Sequence, residues 1–239
     1  DTIDGGEGND SLYGGDGDDT LYGAGGTDLL DGGSGNDTLT ARYGNKTLIG
    51  GEGDDLLTLD RSYGSSSTWD NYTNRFEAGK GNDRMEGHYG QDTYVFNLGD
   101  GQDVINDYGG SDKIAFGEGI SKTDLRISRE GSSNLLIQIL DDTGNPGTDQ
   151  IVIENAWSSS SYRLETFTFT DGSTMDWNEI STQAQQTEQT VNSADVSLET
   201  ALNQFVQSHA MFGAQSEATG IEQTMSDTND LHLIATEDN

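Results

Sequence analysis

The chain has 239 residues and carries 43 Asp and Glu against 11 Lys and Arg, a formal net charge of −32. A charge of that size repels itself in a compact state, so a tight fold needs a cationic partner, and its sign argues against nucleic acid and against anionic membrane surfaces. The absence of cysteine excludes disulfides, thiolate metal sites and cysteine nucleophiles, and there is no apolar run of about 18 residues to span a membrane.

The first residues, Asp1-Thr2-Ile3-Asp4-Gly5-Gly6, have neither the basic nor the apolar region of a secretory signal peptide. They read as the middle of a repeat, and a longer protein is expected to precede them. Of 33 glycines, 27 lie at or before Gly119, a bias that points to a period rather than to disorder. The period is nine: GGEGNDSLY (5–13), GGDGDDTLY (14–22), GAGGTDLLD (23–31), GGSGNDTLT (32–40), ARYGNKTLI (41–49) and GGEGDDLLT (50–58) follow one another in strict phase.

Each unit has the form G-G-x-G-x-D-x-U-x, with U apolar. Glycines reach positive φ without steric cost, so Gly5-Gly6-x-Gly8 makes a tight turn whose carbonyls can approach a ligand. A short strand follows and sends its apolar residue inward. Leu12, Leu21, Leu30, Leu39, Leu48 and Leu57 form that row, and strands this short are stable only when stacked. The Asp at position six and the turn carbonyls are all hard oxygen donors, which suits calcium at six to eight ligands better than zinc or magnesium. A metal-free solenoid would leave phased carboxylates facing one another, which Coulomb repulsion opposes.

Residues 59–77 break the phase and hold Tyr63, Trp69, Tyr72 and Phe76. They are expected to form an Ω-like loop whose aromatics cover the leucine core; the alternative is a ligand- or sugar-binding loop using Trp69 and Tyr72. The repeat resumes with AGKGNDRME (78–86) and GHYGQDTYV (87–95), then LGDGQDVIN (98–106) and a shortened unit near Tyr108–Ala115.

This repeat resembles the RTX (repeats-in-toxin) family, the haemolysin-type calcium-binding repeats. The resemblance implies an all-β fold: a right-handed parallel β-roll, two units per turn, with calcium held between the turns of units n and n+2. Carried over by position, it pairs Asp10 with Asp28, Asp19 with Asp37, and Asp37 with Asp55. Asp83 and Asp92 are further ligands, with Asp103 and Asp112 as their partners. Carbonyls of Gly6, Gly8, Gly15, Gly17, Gly26, Gly33, Gly35, Gly51, Gly53, Gly79 and Gly81 are expected to complete the shells of several calcium ions. The fifth unit departs from the pattern, with Lys46 at the Asp position and Ala41-Arg42 in place of Gly-Gly. The site between the third and fifth turns, on the Asp28 edge, is expected to be lost or weak, with Lys46 as a built-in counter-ion.

From about Gly117 the period ends. Thr123–Glu130 and Asn134–Leu140 read as a hairpin, Gln150–Glu154 and Leu164–Thr170 as further strands, and Asp171-Gly172 as a hairpin turn. Trp157, Trp177, Phe167 and Phe169 are candidates for a small aromatic core. This stretch resembles the region that follows the repeats in RTX proteins, and an open solenoid end needs a cap. Three regions are therefore expected: a β-roll over 1–116, a β cap over 117–180, and 181–239 as a polar linker (181–194), an amphipathic helix with its stop at Gly213, and a tail. That last region resembles a type I secretion signal.

No H-E-x-x-H, G-x-S-x-G or P-loop is present. His88, His209 and His232 lie far apart in sequence, and His88, in a glycine position, is expected as a surface substitution. The reading is a non-catalytic, monomeric calcium module of a protein secreted by, or displayed on, a Gram-negative bacterium, with the type I secretion apparatus as partner and neither nucleic acid nor membrane insertion. The alternatives are a calcium-dependent adhesin domain and the tail of a secreted enzyme or toxin.

Overall fold

A computed structural model gives the fold, described for residues 1–60 and 72–212. The repeats lay down twelve short strands: β1 (Thr2–Asp4), β2 (Ser11–Asp16), β3 (Thr20–Gly23), β4 (Asp28–Ser34), β5 (Thr38–Ala41), β6 (Lys46–Glu52), β7 (Leu56–Leu59), β8 (Thr73–Lys80), β9 (Arg84–Glu86), β10 (Gln91–Phe96), β11 (Gln102–Asn106) and β12 (Lys113–Phe116). Odd strands pair in parallel in one sheet and even strands in the other. Each nonapeptide is thus half a turn, and the glycine-rich turns fall alternately on two edges. The result is an all-β parallel β-roll.

The apolar position of each unit faces the partner sheet. In the even sheet the register stacks Leu12, Leu30, Leu48, Phe76, Tyr94 and Ile114. In the odd sheet it stacks Ile3, Leu21, Leu39, Leu57, Met85 and Ile105. All but Ile3 are buried. Burying a side chain of this size contributes about 1.5–3 kcal/mol, and the two ladders together form the core that no single strand can supply.

The interruption is shorter than the sequence suggests. Leu48 stacks on Phe76 and Leu57 on Met85, so β8 is the next strand of the roll and not part of a loop. Asn74 takes the Asp position and Phe76 the apolar one. Phe76 stacks on Tyr94 with ring centroids 4.9 Å apart. Aromatic bulk in place of leucine hid this unit from the nine-residue pattern. Tyr63 and Trp69 lie outside the described residues.

The cap begins as further turns of the roll. β13 (Leu125–Glu130), β14 (Asn134–Leu140), β15 (Pro146–Ile153), β16 (Thr166–Thr168) and β17 (Thr174–Asp176) follow. β15 pairs in parallel with β11, placing Ile153 on Ile105, and β16 pairs in parallel with β12, placing Phe167 on Ile114. Only then do antiparallel strands close each sheet, β14 and β13 on one and β17 on the other. The expected aromatic core divides in two. Phe167 and Phe169 pack on Phe116, while Trp157 and Trp177 meet each other 5.3 Å apart.

Residues 181–194 are helical, not a linker. The helix α1 runs Trp177–Phe212. It starts at a capping box, in which Glu179 N–H donates to Asp176 Oδ1 (2.9 Å) and Asp176 N–H to Glu179 Oε2 (3.2 Å). Ile180 and Ala184, one turn apart, are buried and fix the first turns against the cap. No glycine or proline interrupts the stretch that follows. The chain divides into two compact units, 1–192 and 193–239. The second is described only as the later part of α1, where Val196, Leu198 and Leu202 are exposed. The side chain of His209, Gly213 and the tail to Asn239 lie outside the described residues. Among the described residues no helix is long and apolar enough to cross a membrane.

Candidate metal centres

Successive turns on one edge bring together Asp10, Asp28, Lys46, Asn74, Asp92 and Asp112. The other edge holds Asp19, Asp37, Asp55, Asp83 and Asp103. This follows from the alternation of strands between sheets, and one hydrogen bond repeats along both edges. The backbone N–H at position six donates to the side-chain oxygen of the next such residue on its edge: Asp10 to Asp28 Oδ1 (3.0 Å), Asp19 to Asp37 (2.7 Å), Asp37 to Asp55 (2.8 Å), Asp55 to Asp83 (2.7 Å), Asp83 to Asp103 (3.1 Å) and Asp92 to Asp112 (2.8 Å). The sequence-derived pairs Asp10–Asp28, Asp19–Asp37 and Asp37–Asp55 are adjacent in this ladder.

In seven of these carboxylates the second oxygen has no protein partner. Oδ2 of Asp10, Asp19, Asp37, Asp55, Asp83, Asp103 and Asp112 is buried and accepts no hydrogen bond. A buried carboxylate oxygen left unpaired costs several kcal/mol as an ion. Burial accordingly pushes the carboxyls up, helped by neighbouring carboxylates: Asp55 to about 7, Asp83 to about 6 and Asp103 to about 8. A row of hard, anionic, unpaired oxygens beside glycine carbonyls fits calcium.

The glycines set this geometry. Gly6, Gly8, Gly15, Gly17, Gly26, Gly33, Gly35, Gly51, Gly53, Gly79 and Gly81 all have positive φ. They stack turn on turn: a Cβ on Gly33 would strike the Gly15 carbonyl oxygen, and one on Gly51 that of Gly33. The first glycine of a unit makes room for the carboxylate instead. A Cβ on Gly14 would lie 2.5 Å from Asp19 Oδ2, and one on Gly5 2.8 Å from Asp10 Oδ2. Carbonyls and carboxylates therefore share each turn.

Lys46 shows what the orphaned oxygens want. Its ammonium is fully buried and donates to Asp28 Oδ2, to Gly26 O at 2.8 Å and to Ala24 O at 3.3 Å. One carboxylate oxygen and two turn carbonyls thus close around a positive charge. Among the position-six aspartates that lead this edge, Asp28 is the one whose Oδ2 is satisfied by a cation. The third-to-fifth-turn site is occupied by the chain itself, and Asp28 is a lysine partner here.

Other residues were not legible from the repeat. Asn74 donates through Nδ2 to Asp92 Oδ1 (2.7 Å). Glu165, in the cap, accepts at Oε2 from Asp112 N–H (2.8 Å) and so extends the ladder past the last repeat. His88 is buried rather than on the surface, because its backbone N–H donates to Asp92 Oδ2 (3.1 Å) and its ring packs on Tyr89. Asp107 sits where a unit's first glycine belongs, and the weak period there concealed it. Tyr72 contributes its carbonyl to Gln91 N–H (2.8 Å). Trp69, the other half of the ligand-loop reading, lies outside the described residues.

Four copies of the RTX calcium-binding nonapeptide repeat match residues 1–30, 31–61, 70–102 and 95–121, and the haemolysin-type calcium binding protein related domain matches residues 134–179. No curated protein matches the chain. The third match starts inside the interruption, as the place of β8 in the roll requires. From its orphaned carboxylates to its matched repeats and cap, the chain belongs to the RTX haemolysin-type family and is a calcium-binding module.

Proposed function

We propose that this calcium-binding module folds on calcium binding outside the cell, and thereby supports type I secretion of an upstream domain. The observation that carries the reading is the row of buried Oδ2 atoms with no partner. Without a cation those rows repel and desolvate at once, so the extended chain is the lower state. Calcium, when bound, supplies two positive charges between turns. Because the sites exist only when turns stack, its binding energy is folding energy. Extracellular modules bind calcium at about 10⁻⁴–10⁻³ M, so the module stays unfolded and threadable at the low calcium of a cytosol. The cap offers the last roll turn a fixed template, and the acidic stretch after it is the part proposed to engage the export apparatus.

Far-UV circular dichroism of the chain at about pH 7.5, above most of the shifted carboxyl values, in millimolar calcium and in chelator tests the reading. A strand signal is expected in calcium alone. An equally strong strand signal in chelator would overturn it.

A further inference from the structure

Where two position-six aspartates meet, the repeat chemistry accounts for two carboxylates at the stacking step. At one step there are three. Asp92, Asp107 and Asp112 are all buried, and an oxygen from each lies within 4.8 Å of the others. Asp92 and Asp112 are the position-six residues of successive turns on one edge. Asp107 stands at position one, where the units of Asp10, Asp28, Lys46 and Asp92 have Gly5, Gly23, Ala41 and Gly87.

The protein satisfies part of this cluster. Asp92 Oδ1 accepts from Asn74 Nδ2 (2.7 Å) and its Oδ2 from His88 N–H (3.1 Å). Asp107 Oδ1 accepts from Tyr108 N–H (2.6 Å), and Asp112 Oδ1 from Asp92 N–H (2.8 Å). Oδ2 of Asp107 and Oδ2 of Asp112 accept nothing, and no lysine or arginine pairs with the three carboxylates among the described residues.

An independent group converges on the same place. Tyr94 is buried in the even-sheet ladder, 1% exposed, and its hydroxyl has no hydrogen-bond partner. A Cβ on Gly87 would collide with that hydroxyl and lie 2.8 Å from both Asp107 Oδ1 and Asp92 Oδ2. An unpartnered phenol therefore points into a trianionic nest, in a position whose counterparts Phe76 and Ile114 carry no polar atom.

We infer that Asp107 turns the Asp92–Asp112 step into a calcium centre of its own class, a three-carboxylate site with the Tyr94 hydroxyl beside it, which holds its ion more tightly than the two-carboxylate sites of the roll. Calcium affinity follows the number of anionic ligands, and this site has one more than its neighbours. The step lies where the last roll strands meet the cap, so its ion ties β10 to β12 just before β16 takes over the ladder. The inference rests on the roll's calcium binding and not on its part in export.

The test counts bound calcium on the full chain by equilibrium dialysis, with free calcium set by chelator buffers. The wild type is expected to keep one ion at a free concentration about tenfold or more below that which fills the rest. Asp107→Asn removes one charge and is expected to merge that step with the others. Asp107→Gly restores the repeat residue, so it is expected to lose the tight step while keeping the same count at saturating calcium. Circular dichroism in saturating calcium shows that each variant is folded. If the asparagine variant is not folded, the glycine variant decides. A wild-type isotherm without a separate tight step, or a glycine-variant isotherm that superimposes on it, would sink the inference. A chain found folded in chelator would sink the export reading and leave this comparison intact.

Discussion

At the residue scale, one lysine separates two ways of neutralising the same turn. The Lys46 ammonium and Asp28 are both fully buried and close a carboxylate-plus-carbonyl nest. Removing one partner of such a pair leaves an uncompensated buried charge, which costs about 3–5 kcal/mol. Lys46→Met is therefore expected to lower the thermal midpoint of the calcium-loaded chain. Lys46→Asp restores the repeat residue and should instead raise the calcium count at saturation by one, because Asp28 then faces a second carboxylate across the same carbonyls. Scanning calorimetry of the methionine variant and calorimetric titration of the aspartate variant check the two outcomes, and an unchanged count in the aspartate variant would refute the claim that the ammonium takes an ion's place. The lysine was visible in the sequence as a break in the aspartate row, and so was its consequence. Asp107 was not, because a carboxylate at a glycine position reads as a decayed unit until the fold places it beside Asp92 and Asp112.

At the scale of the turn and the strand, glycine positions divide by what lies behind them. Gly51 has φ 120° and stacks on the Gly33 carbonyl, whereas Gly131, in the hairpin between β13 and β14, has φ 59° and open space within 4 Å of where a Cβ would stand. Gly51→Ala combines backbone strain with a collision against fixed backbone and is expected to cost roughly 2 kcal/mol or more, while Gly131→Ala meets strain alone, about 1 kcal/mol. Thermal unfolding in saturating calcium ranks them, and equal losses would show that turn stacking does not constrain Gly51. The same distinction explains which elements could be read in advance. The leucine rows and aspartate edges repeat every nine residues, so pattern alone located β2 through β7. β8 escaped because Asn74 and Phe76 replace both diagnostic residues, although they keep the register. The parallel pairing of β15 and β16 with the roll escaped for a different reason. Parallel neighbours are far apart in sequence, and nothing local in Gln150–Ile153 or Thr166–Thr168 distinguishes a strand that continues a solenoid from one that closes it. The start of α1 did leave a signal, since Asp176 and Glu179 stand at capping-box spacing, but the polar composition after it reads equally as linker.

At the scale of the whole molecule, the charge of −32 and the shifted carboxyls make proton and calcium competitors for the same oxygens. In the metal-free roll, burial first and neighbouring carboxylates next hold Asp55 at about 7, Asp83 at about 6 and Asp103 at about 8. In the unfolded chain an aspartate titrates near about 3.9. A folded-state value above the unfolded one means that the folded state binds more protons, so its stability is greatest below about pH 4 and falls as pH rises. The loss is spread over the interval that ends with these groups, between about pH 4 and pH 8. In chelator, strand content is therefore expected to be higher at pH 4 than at pH 7.5. In saturating calcium the difference should nearly vanish, since the ion takes the proton's place and keeps the carboxylates charged. Binding must then release protons when the titration is run near pH 4, where the carboxyls are protonated before the ion arrives, and the apparent binding enthalpy should vary with the ionisation enthalpy of the buffer. Circular dichroism at the two pH values, with and without calcium, reads the first effect, and calorimetry in two buffers reads the second. A metal-free chain that gained strand content as pH rose would mean that the aspartate edges are not buried together, and the cation-dependent packing of the turns would fall with them.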